Sequence, residues 1–186
     1  MWLLVGLGNP GSEYTATRHN AGWLALDAIC DEYRFGSFKK KGKAFIAEGE
    51  VGGHKCIAVK PTTYMNLSGE AVQPLMAFYK VKPENIAVFH DELALPTGKV
   101  KVKLGGGAAG HNGLRSLDQH IGQEYWRVRI GIDHPGHKDL VTGYVLRAFG
   151  KEERETIDKT NTAIASRLKL LLEGNTPQFI EQIGKQ

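Results

Sequence analysis

Trp2 to Leu7 is an uninterrupted apolar run stopped by Gly8-Asn9-Pro10-Gly11, the pattern of a strand covered on both faces that runs into a tight turn. Leu24, Ile29, Cys30 and Tyr33 then recur at helical spacing and predict a helix over about residues 20–34. Phe45 to Val51 and Lys55 to Lys60, parted by Gly52-Gly53, read as a hairpin. Val72, Leu75, Met76 and Tyr79 fall at i, i+3, i+4 and i+7, a second amphipathic helix with Ser68 placed to cap its start. Ile86 to Phe89 is again continuously apolar and ends at His90-Asp91.

Further on the period changes. Val100, Val102 and Leu104 alternate with Lys99, Lys101 and Lys103, and Val128, Ile130 and Ile132 alternate with Arg127, Arg129 and Gly131. Both patterns predict half-buried strands with a cationic outer face. Between them lie a glycine loop and a short helix carrying Leu114, Leu117 and Ile121. Ile157, Ile164, Leu168 and Leu171 share one face of a helix over about residues 151–173, and Thr176-Pro177 opens a last short helix. Lys39-Lys40-Lys41 reads as a solvated loop. Strands interleaved with helices, with no repeat or linker, predict one α/β domain over 1–186: a mixed, twisted β-sheet flanked by helices on both faces.

The chain has 186 residues, 41% of them hydrophobic and 24% charged, enough to bury a core without staples and too apolar for a disordered tail. Cys30 and Cys56 supply neither a disulfide framework nor a Cys-x-x-Cys zinc site, which favours a reduced, cytoplasmic setting. No apolar run approaches the roughly 20 residues that cross a bilayer, and no basic segment precedes Trp2 as a secretory signal requires. The formal charge of +4 suits a polyanionic partner without demanding one.

Gly6-Leu7-Gly8-Asn9-Pro10-Gly11 satisfies G-x-G-x-x-G after a strand, so a dinucleotide fold and an oxidoreductase have to be weighed. That fold opens its helix at the glycines and places an acid at the end of the second strand. Here Pro10 interrupts the motif, the helical pattern begins only near Ala21, and Asp27 and Asp31 fall inside the helix. The match lacks its context.

Four polar segments each come directly after a predicted strand: Asn9 to Asn20, Thr62 to Gly69, His90-Asp91-Glu92, and the glycine loop with His111-Asn112. Loops at strand ends of an α/β sheet converge on a crevice. The crevice would hold His19, Asp91 and the carboxamides of Asn9, Asn66 and Asn112. An imidazole backed by a carboxylate is a base poised near neutrality, while carboxamides orient water or stabilise an oxyanion. The sequence has no G-x-S-x-G elbow, no cysteine in a polar loop beside a histidine, and no H-E-x-x-H spacing. Direct attack by an activated water remains, with neither a covalent nucleophile nor a metal.

The stretches Asn9-Pro-Gly-Ser-Glu-Tyr14-Thr-Ala-Thr-Arg-His19-Asn20, Tyr64-Met65-Asn66-Leu-Ser-Gly, His90-Asp91-Glu92-Leu, Gly105-Gly-Gly-Ala-Ala-Gly-His111-Asn112-Gly-Leu and Arg129-Ile-Gly-Ile-Asp-His134-Pro-Gly closely resemble bacterial peptidyl-tRNA hydrolase, in order and over almost the whole chain. The resemblance implies a phosphorylase/hydrolase-like fold and a monomeric cytoplasmic esterase without a cofactor, which cleaves the ester between a peptide and the terminal ribose of tRNA. It implies that His19 activates water and that Asp91 holds its tautomer. Asn9 would contact the peptide and tell a blocked amino group from a free one, and Asn66 and Asn112 would place the water or the carbonyl. Tyr14 and Tyr64 would line the tRNA-end and peptide site with Met65 and His111 alongside, and Lys103 and Arg129 would meet tRNA phosphates.

The chain departs from the family pattern at Ala108 and Ala109 in the glycine loop, at Tyr64 where phenylalanine is usual, and at Ala94 and Asp133. Asp133 puts negative charge near Arg129 and predicts weaker phosphate affinity. His90 reads as a structural histidine, and Met65 and Met76 as packing, with Met65 also a candidate wall of the site. The competing reading from another class is an RNA-binding module of the same fold without hydrolysis.

Overall fold

Leu3, Leu4 and Val5 are fully buried, as an apolar run without alternation requires, because β1 (Trp2–Gly6) has helices on both sides. In the computed structural model residues 1–185 are described; Gln186, the last residue of the expected 1–186 unit, lies outside the described residues. Within them β2 (Lys39–Lys41), β3 (Ala44–Val51), β4 (His54–Pro61), β5 (Ile86–Glu92), β6 (Val100–Leu104) and β7 (Trp126–Gly131) join β1 in a seven-stranded sheet of order β2-β3-β4-β1-β5-β7-β6. The inner strands β4, β1, β5 and β7 run parallel; β3 and β6 run antiparallel to their neighbours and β2 to β3. The fold is the single α/β domain with a mixed sheet that the hydrophobic pattern predicts.

Side chains alternate across the sheet with period two. Leu4, Ala87 and Phe89 face a layer made with α1 (Ala21–Glu32), α5 (Lys151–Leu172) and α6 (Thr176–Gly184). Leu3, Val5 and Val88 face α2 (Ser68–Tyr79) and α3 (Asn112–Ile121). A short helix, α4 (Val141–Val145), stands apart over a small satellite core of Ala21, Ile132 and Val145.

Several local expectations are corrected. The buried stripe of α1 is Gly22, Ala25, Leu26 and Ile29, while Leu24 and Cys30 sit half-buried at its flank. Small residues escape a periodicity count, although here they set how closely the helix lies on the sheet. Ser68 is the first residue of α2 rather than its cap, and its hydroxyl donates back to the Met65 carbonyl at 2.7 Å. Lys39–Lys41 is no loop; it pairs with Ile46, Phe45 and Ala44 as an outer strand.

Arg127 is not on a wet face. It is 2% exposed, stacks on Tyr125, and donates to Asp118 Oδ1 and the Gly106 carbonyl, each at 2.9 Å. Alternation tells which face a residue takes, but β7 lies between β5 and β6, and Asp118 on α3 neutralises the charge there. The glycine loop also starts at the end of the sheet opposite the one expected. Leu104 pairs with Trp126 at the start of β7, so residues 105–110 must travel back the length of the sheet before His111.

Gly22 shows how tightly α1 is seated. A Cβ there would meet the Phe89 carbonyl oxygen at 2.1 Å and Leu7 N at 2.6 Å, backbone atoms that cannot swing aside. Gly22→Ala is therefore expected to destabilise the fold by about 3 kcal/mol, the upper part of the overpacking range, read as a lowered midpoint in urea unfolding.

Candidate active site

The parallel strands end together, and the segments leaving them meet in one crevice, as α/β sheets require. β1 leads into Asn9, β4 into Tyr64, Met65 and Asn66, and β5 closes on His90 and Asp91. A turn over Arg18–Asn20 brings His19 in just before α1, and His111 caps the start of α3. The cavity measures about 840 Å³ and is lined by His19, Asp91, His111, Asn9, Asn66, Asn112, Tyr64, Met65, Lys103 and Arg129. Of the site residues expected from the sequence, Tyr14 alone is not in this lining. It sits in the loop before His19, where its carbonyl accepts from Thr17 N and Oγ1.

Asp91 is 4% exposed and uses both carboxylate oxygens. Oδ2 meets His19 Nδ1 at 2.7 Å and Oδ1 meets His111 Nε2 at 2.7 Å. The remaining hydrogen bonds settle the proton positions. His111 Nδ1 accepts from the backbone N–H groups of Gly113 and Leu114 at 3.1 and 3.3 Å, so it carries no proton, and Nε2–H is the donor to Asp91. His19 likewise presents Nδ1–H to Asp91, which leaves its Nε2 lone pair without a partner among the described residues. His19, Asp91 and His111 lie close enough to surround a cation. His111, however, has its lone pair engaged by the helix N–H groups and a proton turned to the carboxylate, so the trio fits a proton network better than a ligand set.

The electrostatics are set by this arrangement. Burial of Asp91 opposes its charge, but the two imidazoles outweigh burial and hold the carboxyl well below the usual range. Burial also opposes protonation of His19, and the charge and hydrogen bond of Asp91 overcome it, so His19 titrates above its ordinary 6.5. Burial, with His111 beside it, pushes His90 down to about 4. His90 donates Nδ1–H to the Asp91 carbonyl at 2.8 Å and stays neutral, in keeping with a structural role.

Asn9 is 6% exposed and its orientation is fixed. Its N–H and carbonyl exchange hydrogen bonds with the Asn20 carboxamide at 2.9 and 3.0 Å, and its Oδ1 accepts from Met65 N at 2.7 Å. Its Nδ2 is left as a donor at the cavity wall. Asn112 accepts weakly from Arg115 through Oδ1 at 3.4 Å, so its Nδ2 is spare too. Neither thiol belongs to the cavity, and burial pushes Cys30 up to about 12 and Cys56 up to about 11.

Arg129 is not a free cation: its Nε donates to Glu92 Oε1 at 2.8 Å. The acid beside Arg129 is thus Glu92, while Asp133 accepts from the backbone N–H and hydroxyl of Thr97 at 3.2 and 2.7 Å. Lys103 is exposed at the cavity rim. Sequence reasoning missed the wall formed by Val141, Thr142, Val145 and Leu146, together with His134 and Lys138. A five-residue helix carries too little periodicity to be read, and only its nearness to the motif ending at Gly136 hints at it.

A family model described as peptidyl-tRNA hydrolase matches residues 3–186. The chain belongs to the peptidyl-tRNA hydrolase family. Among similar proteins, the peptidyl-tRNA hydrolase of Rhodospirillum centenum is 50% identical over 184 residues, covering 99% of this chain and 81% of that protein. That of Novosphingobium aromaticivorans is 50% identical over 184 residues, covering 99% and 96%. A crystal structure of peptidyl-tRNA hydrolase from Acinetobacter baumannii superposes with a TM-score of 0.93 at 42% identity, covering 100% of this chain and 95% of that one. Among the described residues no helix is long and apolar enough to cross a membrane.

If Asp91 is what raises His19, removing its charge leaves burial as the dominant influence. In Asp91→Asn the His19 imidazole should therefore titrate below 6.5 instead of above it, measured from its ring-proton shifts by NMR.

Proposed function

We propose that this enzyme hydrolyses the ester between a peptide, or an N-blocked aminoacyl group, and the terminal ribose of tRNA, with His19 as general base and no cofactor. The observation that carries the reading is the 2.7 Å contact of His19 Nδ1 with Asp91, with Nε2 unpartnered at a cavity edged by carboxamides. His19 Nε2 takes a proton from water as the water oxygen bonds to the ester carbonyl carbon. The carbonyl electrons move to oxygen, where a carboxamide N–H of Asn66 or Asn112 stabilises the charge. The intermediate then expels the ribose oxygen, which recovers the proton from the imidazolium. Asp91 stays ionised throughout and stabilises the positive ring.

Ribose oxygen is a better leaving group than an amine, so a single base suffices and the amide bonds of the released peptide are spared. Asn9 supplies selectivity. Its Nδ2–H suits the carbonyl of the amide that blocks the amino group, whereas a free aminoacyl ester places an ammonium, another donor, at that point. The lost hydrogen bond is worth about 0.5–1.5 kcal/mol, so Asn9 acts with other contacts, among them Tyr64 and Met65.

Lys103 and Arg129 are read as phosphate contacts, which suits an enzyme that must accept many tRNA sequences. The Glu92 carboxylate holds the Arg129 guanidinium in place beforehand, and that costs it some attraction for phosphate. His111 shares Asp91 with the base and so takes part through the carboxylate. Tyr14 lies outside the cavity lining, so its role is at the tRNA end rather than on the acyl group. The protein is read as a cytoplasmic monomer that recycles stalled peptidyl-tRNA.

With N-acetylated aminoacyl-tRNA as substrate, the wild type should release the acyl group. His19→Ala should lose about 10²–10⁴-fold in kcat, the usual share of a positioned base, with KM within a few-fold. An RNA-binding module would instead retard the tRNA in a gel and leave the ester intact. Lys103→Ala should raise KM and reduce the slope of log KM against log salt by about 0.7–0.9, one phosphate contact. Arg129→Ala, which frees Glu92 as well, should flatten the same slope.

A further inference from the structure

Arg18 stands beside the proposed base and is 7% exposed, although no step of the chemistry uses it. Its guanidinium lies over the Tyr144 ring, 4.0 Å from the centroid. Nη1 donates to the Tyr144 carbonyl at 3.1 Å and Nη2 to Glu153 Oε1 at 2.8 Å. The main chain repeats the tie. Arg18 N–H donates to the Arg147 carbonyl at 3.1 Å, Phe149 N–H donates to the Ala16 carbonyl at 3.2 Å, and Thr17 bridges Ala148. Tyr144 has a second hold, its hydroxyl donating to the Ile132 carbonyl just past β7.

These contacts bear on α4, which is five residues long and too short to persist on its own hydrogen bonds. Its Val141, Thr142 and Val145, with Leu146 after it, form part of the cavity wall. Its apolar anchorage is one small cluster: Val145 is buried with Ala21 and Ile132, and Val141 and Tyr144 pack against them half-buried beside Leu93 and Phe149. The side-chain contacts between the segment carrying His19 and α4 run from residue 18 to residue 144.

We infer that Arg18 is a positioning residue: by stacking on Tyr144 it sets the distance between the α4 wall and the base, and so how tightly the acylated end of the substrate is held. The inference rests on the proposed hydrolysis of peptidyl-tRNA. The wall is apolar apart from Thr142 and touches bound substrate alike before and during reaction, so its displacement should appear in KM rather than kcat. His19 keeps its own hold on Asp91 and should not move with it. A lysine at position 18 retains the charge opposite Glu153 but has no plane to lay on the ring, and is not a conservative replacement at a stacked site.

The test is steady-state hydrolysis of N-acetylated aminoacyl-tRNA by the wild type, Arg18→Lys, Tyr144→Phe, Tyr144→Leu and the Arg18→Lys/Tyr144→Leu double variant. KM is expected to rise about three- to tenfold in Arg18→Lys and in Tyr144→Leu, the loss of one buried cation–π contact, with kcat within about twofold. Tyr144→Phe, which keeps the ring, should lie closer to the wild type than Tyr144→Leu. The double variant should be no worse than either single one, because both remove the same contact. KM values unchanged in both single variants, falls in kcat at constant KM, or effects that multiply in the double variant would each overturn the inference. Should Arg18→Lys fail to fold, the comparison of Tyr144→Phe with Tyr144→Leu decides alone. A wild type that releases no acyl group defeats the functional reading itself, whereas turnover with unmoved KM defeats only the positioning role.

Discussion

One carboxylate organises the centre of this molecule. Asp91 sits almost fully buried at the end of a central strand, where an ionised group is tolerated only if its oxygens find donors. It finds an imidazole on each side. Both N–H groups must point inward to satisfy it, so both outward nitrogens have their character assigned: His111 turns a lone pair to the first turn of α3, and His19 turns one toward the cavity. A helix cap and an unpartnered imidazole nitrogen at the cavity are thus two ends of one hydrogen-bonded row.

The sheet explains why the row falls where it does. β5 lies between β1 and β7, so its carboxyl end has a parallel strand on either side and the loops of both within reach. α1 is pressed so close at Gly22 that the turn before it, with His19, comes down onto Asp91. The segment over residues 105–110 behaves differently. It starts from an antiparallel strand at the far end, is held at its foot by Arg127 on the Gly106 carbonyl, and has open space around Gly107 and Gly110. Ala109 there adopts φ +49°, a left-handed conformation uncommon for a residue with a Cβ.

Much of this was legible in the chain. Unbroken apolar runs at Leu3–Val5 and Ile86–Phe89 can only be inner strands, and polar motifs placed directly after such runs had to share one rim. Asn9, His19 and Asp91 come together for that reason, whereas Asn112 reaches the same rim because residues 105–110 run back along the sheet. What could not be read depends on partners distant in sequence. Arg127 looks solvated until Asp118 is placed beside it, Arg129 looks free until Glu92 is, and the lysines at 39–41 look like a loop until β3 is found to pair with them. Small residues on α1 and the five-residue α4 carry too little hydrophobic contrast to register. Tyr14 is implied only by the company it keeps in its motif, which fixes a neighbourhood and not a contact.

The two outer strands have one trait in common. β2 is made of three lysines, and β6, at the opposite border, presents Lys101 and Lys103 to solvent. An unpaired strand border invites another chain to add on, and ammonium groups along it discourage that addition by repulsion. On β6 Lys103, proposed above to meet phosphate, shares that border with Lys101, so a single row of cations would both attract a polyanion and repel a second copy of the strand.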